Sequence, residues 1–288
     1  MAIEFRYPTG ARPLLIEETA RRRRIETRFV SLLENAGFAE VVLPIIDFAE
    51  PYAEVVDRKA ARGSYRFCDR EGELVAIRSD FTPMVARALA STVSADDLPL
   101  RVFYRGDVIR CEATRLGANR ELFQIGAEII GDRSVTADID ALRLVAEVVR
   151  AFGVEPLVVY NDLSIVDGFE DDVRAALRTK RTHAELPLLA SQLIAGTATL
   201  GDVCGFDPAA AERLEQIADA LDDSAFVLHL DDVDEPAGYY TGLRFRVYDA
   251  KTKTQIAAGG RYDGLYAQFG APAAAIGFTF TIDDLSPS

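Results

Sequence analysis

The residues best placed to do chemistry lie between Leu100 and Gly131, in LRVFYRGDVIRCEATRLGANRELFQIGAEIIG. Gln124, Gly126 and Glu128 recur at every second position, so on a β-strand they share one face, while Phe123, Ile125, Ala127 and Ile129 share the other. The glycine removes a side chain between two polar ones. That leaves a notch whose rim offers an amide, able to donate and accept, and a carboxylate, able to accept. On the preceding segment Val102, Tyr104, Val108, Arg110 and Glu112 alternate in the same way, which adds a cation to the same hairpin. Such a face could hold a small polar molecule against a sheet. Periodicity alone serves equally well for the solvent-facing half of an antiparallel sheet.

The elements that must position this hairpin can be read along the chain. The two strands are joined by the polar loop ATRLGAN, rich in turn residues. A helix from about Leu14 to Ala36 is predicted from the stripe Ile25, Phe29, Leu32, Leu33 and Ala36, with Gly37 as its stop. The run Arg21 to Arg24 reads as a solvated helix face paired with Glu17, Glu18 and Glu26. A strand ends at Val42-Leu43-Pro44, and Tyr65 to Thr82 reads as a hairpin turning at Arg70-Glu71-Gly72. Pro83 then opens a helix for which Asp80 or Thr82 would be the N-cap. Ala137 to Phe152 is a further helix, with Ile139, Leu142, Val145, Val149 and Phe152 inward. Leu157 to Tyr160 is a short buried strand, and helical patterning runs from Leu163 to Leu221. His183 falls there as a surface residue, and His229 is placed in the strand FVLHL. The end of the chain returns to sheet, with strands over 239–248, 254–259 and 275–282 and a turn at Gly259 to Gly264. The expected division is a core of 1–162 and 223–288 with an inserted helical subdomain at 163–222.

Composition bounds the function. The chain has 288 residues, 49% hydrophobic, enough to bury a core of one large or two small domains. A net charge of −14 and a pI of about 4.7 disfavour nucleic acid, whose phosphates need basic surfaces. Cys68, Cys111 and Cys204 are odd in number and widely spaced, so no disulfide framework or metal site is expected, and no cofactor is implied. With no apolar signal core and no run long enough to span a membrane, the expected setting is the cytoplasm.

Several pieces also resemble a known family. RVFYRGDVIRCE followed by RELFQIGAE is similar to motif 2 of class II aminoacyl-tRNA synthetases, in the form found in histidyl-tRNA synthetases. The helix at 14–36 with GFAEVVLPIIDF resembles motif 1, which builds the synthetase homodimer, and Pro44 marks its strand. Tyr239-Tyr240-Thr241 and Gly259-Gly260-Arg261-Tyr262-Asp263 resemble the second histidine signature, and AIGFTFTI resembles motif 3. The wording around Arg78-Ser79-Asp80-Phe81-Thr82-Pro83 is nearer to a non-catalytic paralogue family, the regulatory subunits of ATP phosphoribosyltransferase in histidine biosynthesis. The resemblance implies an α+β, class II synthetase-like catalytic-core fold, mostly antiparallel sheet flanked by helices, with a helical insertion and no anticodon-binding domain.

By the same resemblance, Asp80, Thr82, Arg110, Gln124, Glu128, Tyr240 and Tyr262 match positions that surround histidine, or in the case of Arg110 the ATP α-phosphate. The chemistry fits. An α-ammonium needs the acceptors that Asp80, Thr82 and Gln124 offer, and an imidazole needs the acid and phenols of Glu128, Tyr240 and Tyr262. Two departures weigh against amino-acid activation. The family's Arg-Gly-Leu-Asp before the paired tyrosines is here Glu235-Pro236-Ala237-Gly238, and the motif 3 arginine falls at Asp284. Adenylate formation builds negative charge that placed cations must stabilise, so exchanging two arginines for acids removes that support. The resemblance therefore implies no catalytic residue. Its expected partners are the short-form catalytic subunit, a second copy of the chain and L-histidine as a feedback effector. The alternative is a truncated synthetase-like ligase activating an amino acid for a non-tRNA acceptor.

Overall fold

The structure, a computed structural model, describes residues 7–52, 63–111, 119–182, 185–233, 240–282 and 285. Alternation in the central segment produces the hairpin read from the sequence: β5 (Leu100–Ile109) pairs antiparallel with β6 (Glu121–Ile130) from Leu100 opposite Ile130 to Ile109 opposite Glu121. Around it an eight-stranded sheet runs in the order β1 (Ala39–Glu40), β5, β6, β11 (Ala275–Thr281), β10 (Gln255–Arg261), β9 (Leu243–Asp249), β7 (Pro156–Asp162), β8 (Phe226–Leu228). Only the two outermost pairings, β1 with β5 and β7 with β8, are parallel. β2 (Ile46–Phe48), β4 (Leu74–Ile77) and β3 (Arg66–Cys68) form a separate three-stranded antiparallel sheet.

The large sheet has two unlike faces. On one, Phe103, Ile125, Ala127, Phe245 and Phe280 meet helices α1 (Ile16–Asn35) and α3 (Val135–Ala151) in the main apolar core. Phe29 of α1 packs edge-on against Phe280 with ring centroids 4.9 Å apart. Ser134 caps α3 by accepting the Ala137 N–H at 3.3 Å, an interaction worth about 1 kcal/mol in such helices. On the other face Val102, Tyr104, Tyr262, Tyr266 and Leu265 form a smaller cluster under α2 (Thr82–Ala90). Apolar side chains thus cover one side of the sheet, and phenols and hydroxyls enter on the other.

Several expectations need adjusting. The strand predicted to end at Pro44 stops at Glu40, with the Val41 N–H still donating to the Phe103 carbonyl; the chain then leaves the sheet and Val42 is 88% exposed. Gly259, Gly260 and Arg261 are the end of β10 rather than part of a turn. His229 follows β8 instead of lying in it, and its Nδ1 is 3.3 Å from Asp231 Oδ1. The stretch at 163–222 is helical, with α4 (Ser164–Asp167), α5 (Asp171–Thr179), α6 (Leu188–Ala195), α7 (Leu200–Phe206) and α8 (Pro208–Ala220) connecting β7 to its parallel neighbour β8. Leu177, Leu193, Leu214 and Ile217 from these helices belong to the same apolar cluster as Val145 and Phe245, so the stretch packs into the main core. His183, Glu235 and Asp284 lie outside the described residues. No helix among the described residues is long and apolar enough to cross a membrane.

Candidate functional site

Register decides what stands beside Glu128. Val102 of β5 and Gly277 of β11 are its cross-strand partners, and Gly126 is flanked by Tyr104 and Thr279. The notch left by Gly126 is therefore not open: a Cβ there would stand 2.3 Å from the Tyr104 hydroxyl oxygen, so the phenol occupies the space. Tyr104 is fully buried, stacks on Phe81 with centroids 4.4 Å apart, and shares hydrogen bonds with Thr279 Oγ1 at 2.7 Å and Thr82 Oγ1 at 3.5 Å. A Cβ at Gly277 would meet the Tyr262 hydroxyl and Glu128 Cγ at 2.7 and 2.8 Å, which brings Tyr262 against the acid. The Tyr240 ring lies over Gly260, the next position across the sheet.

Glu128 itself is 1% exposed, and neither carboxylate oxygen has a hydrogen-bond partner among the described residues. Burial pushes its pKa from 4.5 up to about 8; the hydroxyls of Tyr262, Thr82 and Tyr266 work against that rise, and the charge of Asp80 adds to it. Burial likewise raises the phenols of Tyr104 and Tyr266, and the nearby Glu128 carboxylate raises them further. Gln124 is buried four residues along the strand with its Oε1 unpartnered. Thr82 enters as the first residue of α2, and Asp80 accepts its backbone N–H at 3.2 Å, so both arrive on one tight turn. Arg78 pins that turn to its neighbours. Its guanidinium donates to the carbonyls of Leu43 (3.0 Å) and Asp107 (2.8 Å) and covers the Phe81 ring at 4.0 Å.

The turn carrying Tyr262 and Tyr266 is anchored from below by a charged cluster. Arg261 donates to Asp138 Oδ1 at 2.6 and 2.8 Å, to Asp263 at 3.1 Å and to the Asp132 carbonyl at 3.0 Å. Arg213 of α8 reaches the other oxygen of Asp138 at 3.2 Å. Asp263 in turn accepts the Ala275 N–H and its own N–H donates to Thr241 Oγ1, which links the turn to β11 and to the residue after Tyr240.

Of the expected residues, Asp80, Thr82, Gln124, Glu128, Tyr240 and Tyr262 share the second face of the sheet. Arg110 approaches them from the end of the hairpin. It follows the end of β5, four residues beyond the Gly106 partner of Gln124, and its Nε approaches the carbonyl of Ser79, the neighbour of Asp80, at 3.5 Å. It flanks the site at the far end. Two contributors were missed. Tyr266 falls one tight turn after Tyr262, and Thr279 alternates with Gly277 in AIGFTFT; that spacing was the available signal.

A mixed, mainly antiparallel sheet with an acid, an amide and phenols on one face has the architecture of a class II synthetase core. The sequence profile described as histidyl-tRNA synthetase matches residues 10–219 and 195–285. A crystal structure titled as an ATP phosphoribosyltransferase regulatory subunit/histidyl-tRNA synthetase from Bacillus halodurans superposes with a TM-score of 0.86, at 23% identity, over 99% of this chain and 83% of that one, which establishes the fold. Among curated proteins, the ATP phosphoribosyltransferase regulatory subunit of Geobacter metallireducens is 31% identical over 97% of this chain and 73% of its own length. That of Moorella thermoacetica is 28% identical over 98% and 82%. The chain belongs to the histidyl-tRNA synthetase family, in its branch of ATP phosphoribosyltransferase regulatory subunits.

Proposed function

We propose that the chain acts as a regulatory subunit that assembles with a short-form catalytic subunit of ATP phosphoribosyltransferase, is needed for that subunit's activity, and binds L-histidine for feedback inhibition in the pocket around Glu128. The observation that carries the histidine reading is the buried carboxyl of Glu128, with both oxygens unpartnered and phenols close by. An imidazole supplies what those oxygens lack, a directed N–H. Gln124 and the turn of Asp80 and Thr82 supply acceptors for the α-ammonium at the other end. Glu235 and Asp284, standing where synthetases of the family carry arginines, support a chain without amino-acid activation of its own.

Self-association is part of the same reading. Leu15, Ile16, Val42 and Ile45 are exposed apolar side chains at the start of α1 and in the segment after β1, and covering them with a second copy removes that apolar surface from water. Reconstitution tests the whole. The purified chain should restore activity to a short-form catalytic subunit, and histidine should inhibit that complex and bind the chain in a calorimeter. No activation, or binding that survives Glu128→Ala, would refute the reading. Amino-acid-dependent ATP–pyrophosphate exchange by the chain alone would establish the ligase instead.

A further inference from the structure

Among the described residues, Glu128 is a buried carboxyl with no ion pair and no cation facing it. The groups facing it come from every element packed around it. Thr82 and Asp80 approach from the start of α2, Tyr104 from β5, Thr279 from β11, and Tyr262 and Tyr266 from the turn after β10. Gln124 lies on its own strand. These are hydroxyls, an amide and one further acid. In a site of low dielectric, an ionised carboxylate so surrounded is poorly stabilised, and the neutral acid is the resting form.

From this arrangement we infer that the empty pocket holds Glu128 as a carboxylic acid and that it takes histidine in the neutral-imidazole form, the acid passing its proton to the ring. The inference rests on the histidine reading above and concerns how the site chooses the ligand's protonation state. On binding, the O–H bond of Glu128 breaks and an N–H bond forms on the unprotonated ring nitrogen. The occupied site then holds a carboxylate–imidazolium pair, with no proton taken from or released to water. The buried charge appears only together with its counter-charge, and charge-assisted hydrogen bonds of this kind are the strong ones. A ligand of the same shape whose ring cannot accept a proton gains no such pair.

The pH dependence of binding separates this from the ordinary case. If Glu128 keeps its proton up to about pH 8, and free imidazole is unprotonated above about pH 6.5, affinity is level between those values. Above that window a proton must be taken up from water, and affinity falls about tenfold per pH unit. A Glu128 that was ionised throughout would bind imidazolium instead, and affinity would already fall tenfold per unit above about pH 6.5.

The experiment is calorimetric titration of the full chain with L-histidine from pH 5.5 to 8.5, in two buffers of different ionisation enthalpy. It is paired with isotope-edited infrared difference spectra of the empty protein against Glu128→Gln. The expected result is a plateau from about pH 6.5 to 8 with no net proton exchange, and a protonated-carboxyl band that the variant lacks. Glu128→Gln, of the same size but without a transferable proton, should bind histidine at least tenfold more weakly. Binding whose decline begins at about pH 6.5, with no such band, overturns the inference and leaves the histidine reading standing. Failure to bind histidine at any pH overturns the reading and the inference with it.

Discussion

Glu128 and Asp138 are both buried acids, yet the protein treats them in opposite ways. Asp138 is fully buried on α3 and held by two arginines, Arg261 and Arg213. Burial still raises its pKa to about 6, while the two guanidinium charges pull it back. Glu128 is equally buried on β6, faces hydroxyls and a second acid, and is raised to about 8. A carboxylate satisfied inside the protein is an anchor; one left unsatisfied retains its capacity for a ligand. The two are joined in sequence, since Arg261 grips Asp138 and the next residue, Tyr262, faces Glu128.

The largest expected effect breaks the anchor. Arg261→Met should leave Asp138 and Asp263 without their main cation and destabilise the fold by roughly 3–5 kcal/mol in urea denaturation. Unchanged stability would mean that the pair holds nothing.

Next comes pH. Both acids have folded-state pKa values above their unfolded ones, so the native state binds the extra protons. Stability is then fullest below the unfolded values and declines as pH rises through the folded ones. Asp138 contributes its decline from about 3.8 to about 6, and Glu128 its own from about 4.5 to about 8. Between about pH 6 and 8 Glu128 still contributes to the slope after Asp138 has lost its share, and urea denaturation of Glu128→Gln should be flatter there than that of the parent.

A smaller effect tests the shape of the chamber. Gly126→Ala would put a methyl group 2.3 Å from the Tyr104 hydroxyl oxygen, and the displacement of a stacked, hydrogen-bonded phenol should cost about 1–3 kcal/mol and weaken histidine binding. The smallest change in stability is expected for Tyr266→Phe. Its buried hydroxyl lies near the Glu128 carboxyl without a close hydrogen bond among the described residues, so removing it should shift stability by less than about 1 kcal/mol, while the loss of its polarity beside Glu128 should still show in affinity. A large loss of stability with unaltered affinity would assign Tyr266 to the anchor instead.

Much of the site was legible because a strand's side chains alternate without exception. The rows Phe123, Ile125, Ala127 and Gln124, Gly126, Glu128 could be assigned to opposite faces before any contact was known, and they meet different clusters. Tyr104 could be placed on its face in the same way, but not above Gly126, because that needs the pairing register between two strands. The inward stripe of α3 was readable at Leu142, Val145 and Val149. Asp138 beside it was not, since its partner Arg261 is 123 residues distant. Arg110 is grouped with the histidine residues by motif, and its approach to the turn of Asp80 through the Ser79 carbonyl is visible only in the fold.

Local pattern by itself determined the elements: the hairpin and its two faces, the amphipathic helices and the turn at Gly72 depend on neighbours a few residues away, which the chain spells out directly. Resemblance of motifs added the family. The tertiary structure decided which groups stand around each buried acid. Whether an acid meets an arginine or a ring of hydroxyls depends on segments that sequence distance separates, and the electrostatic cost of burial exists only once those segments have closed over it.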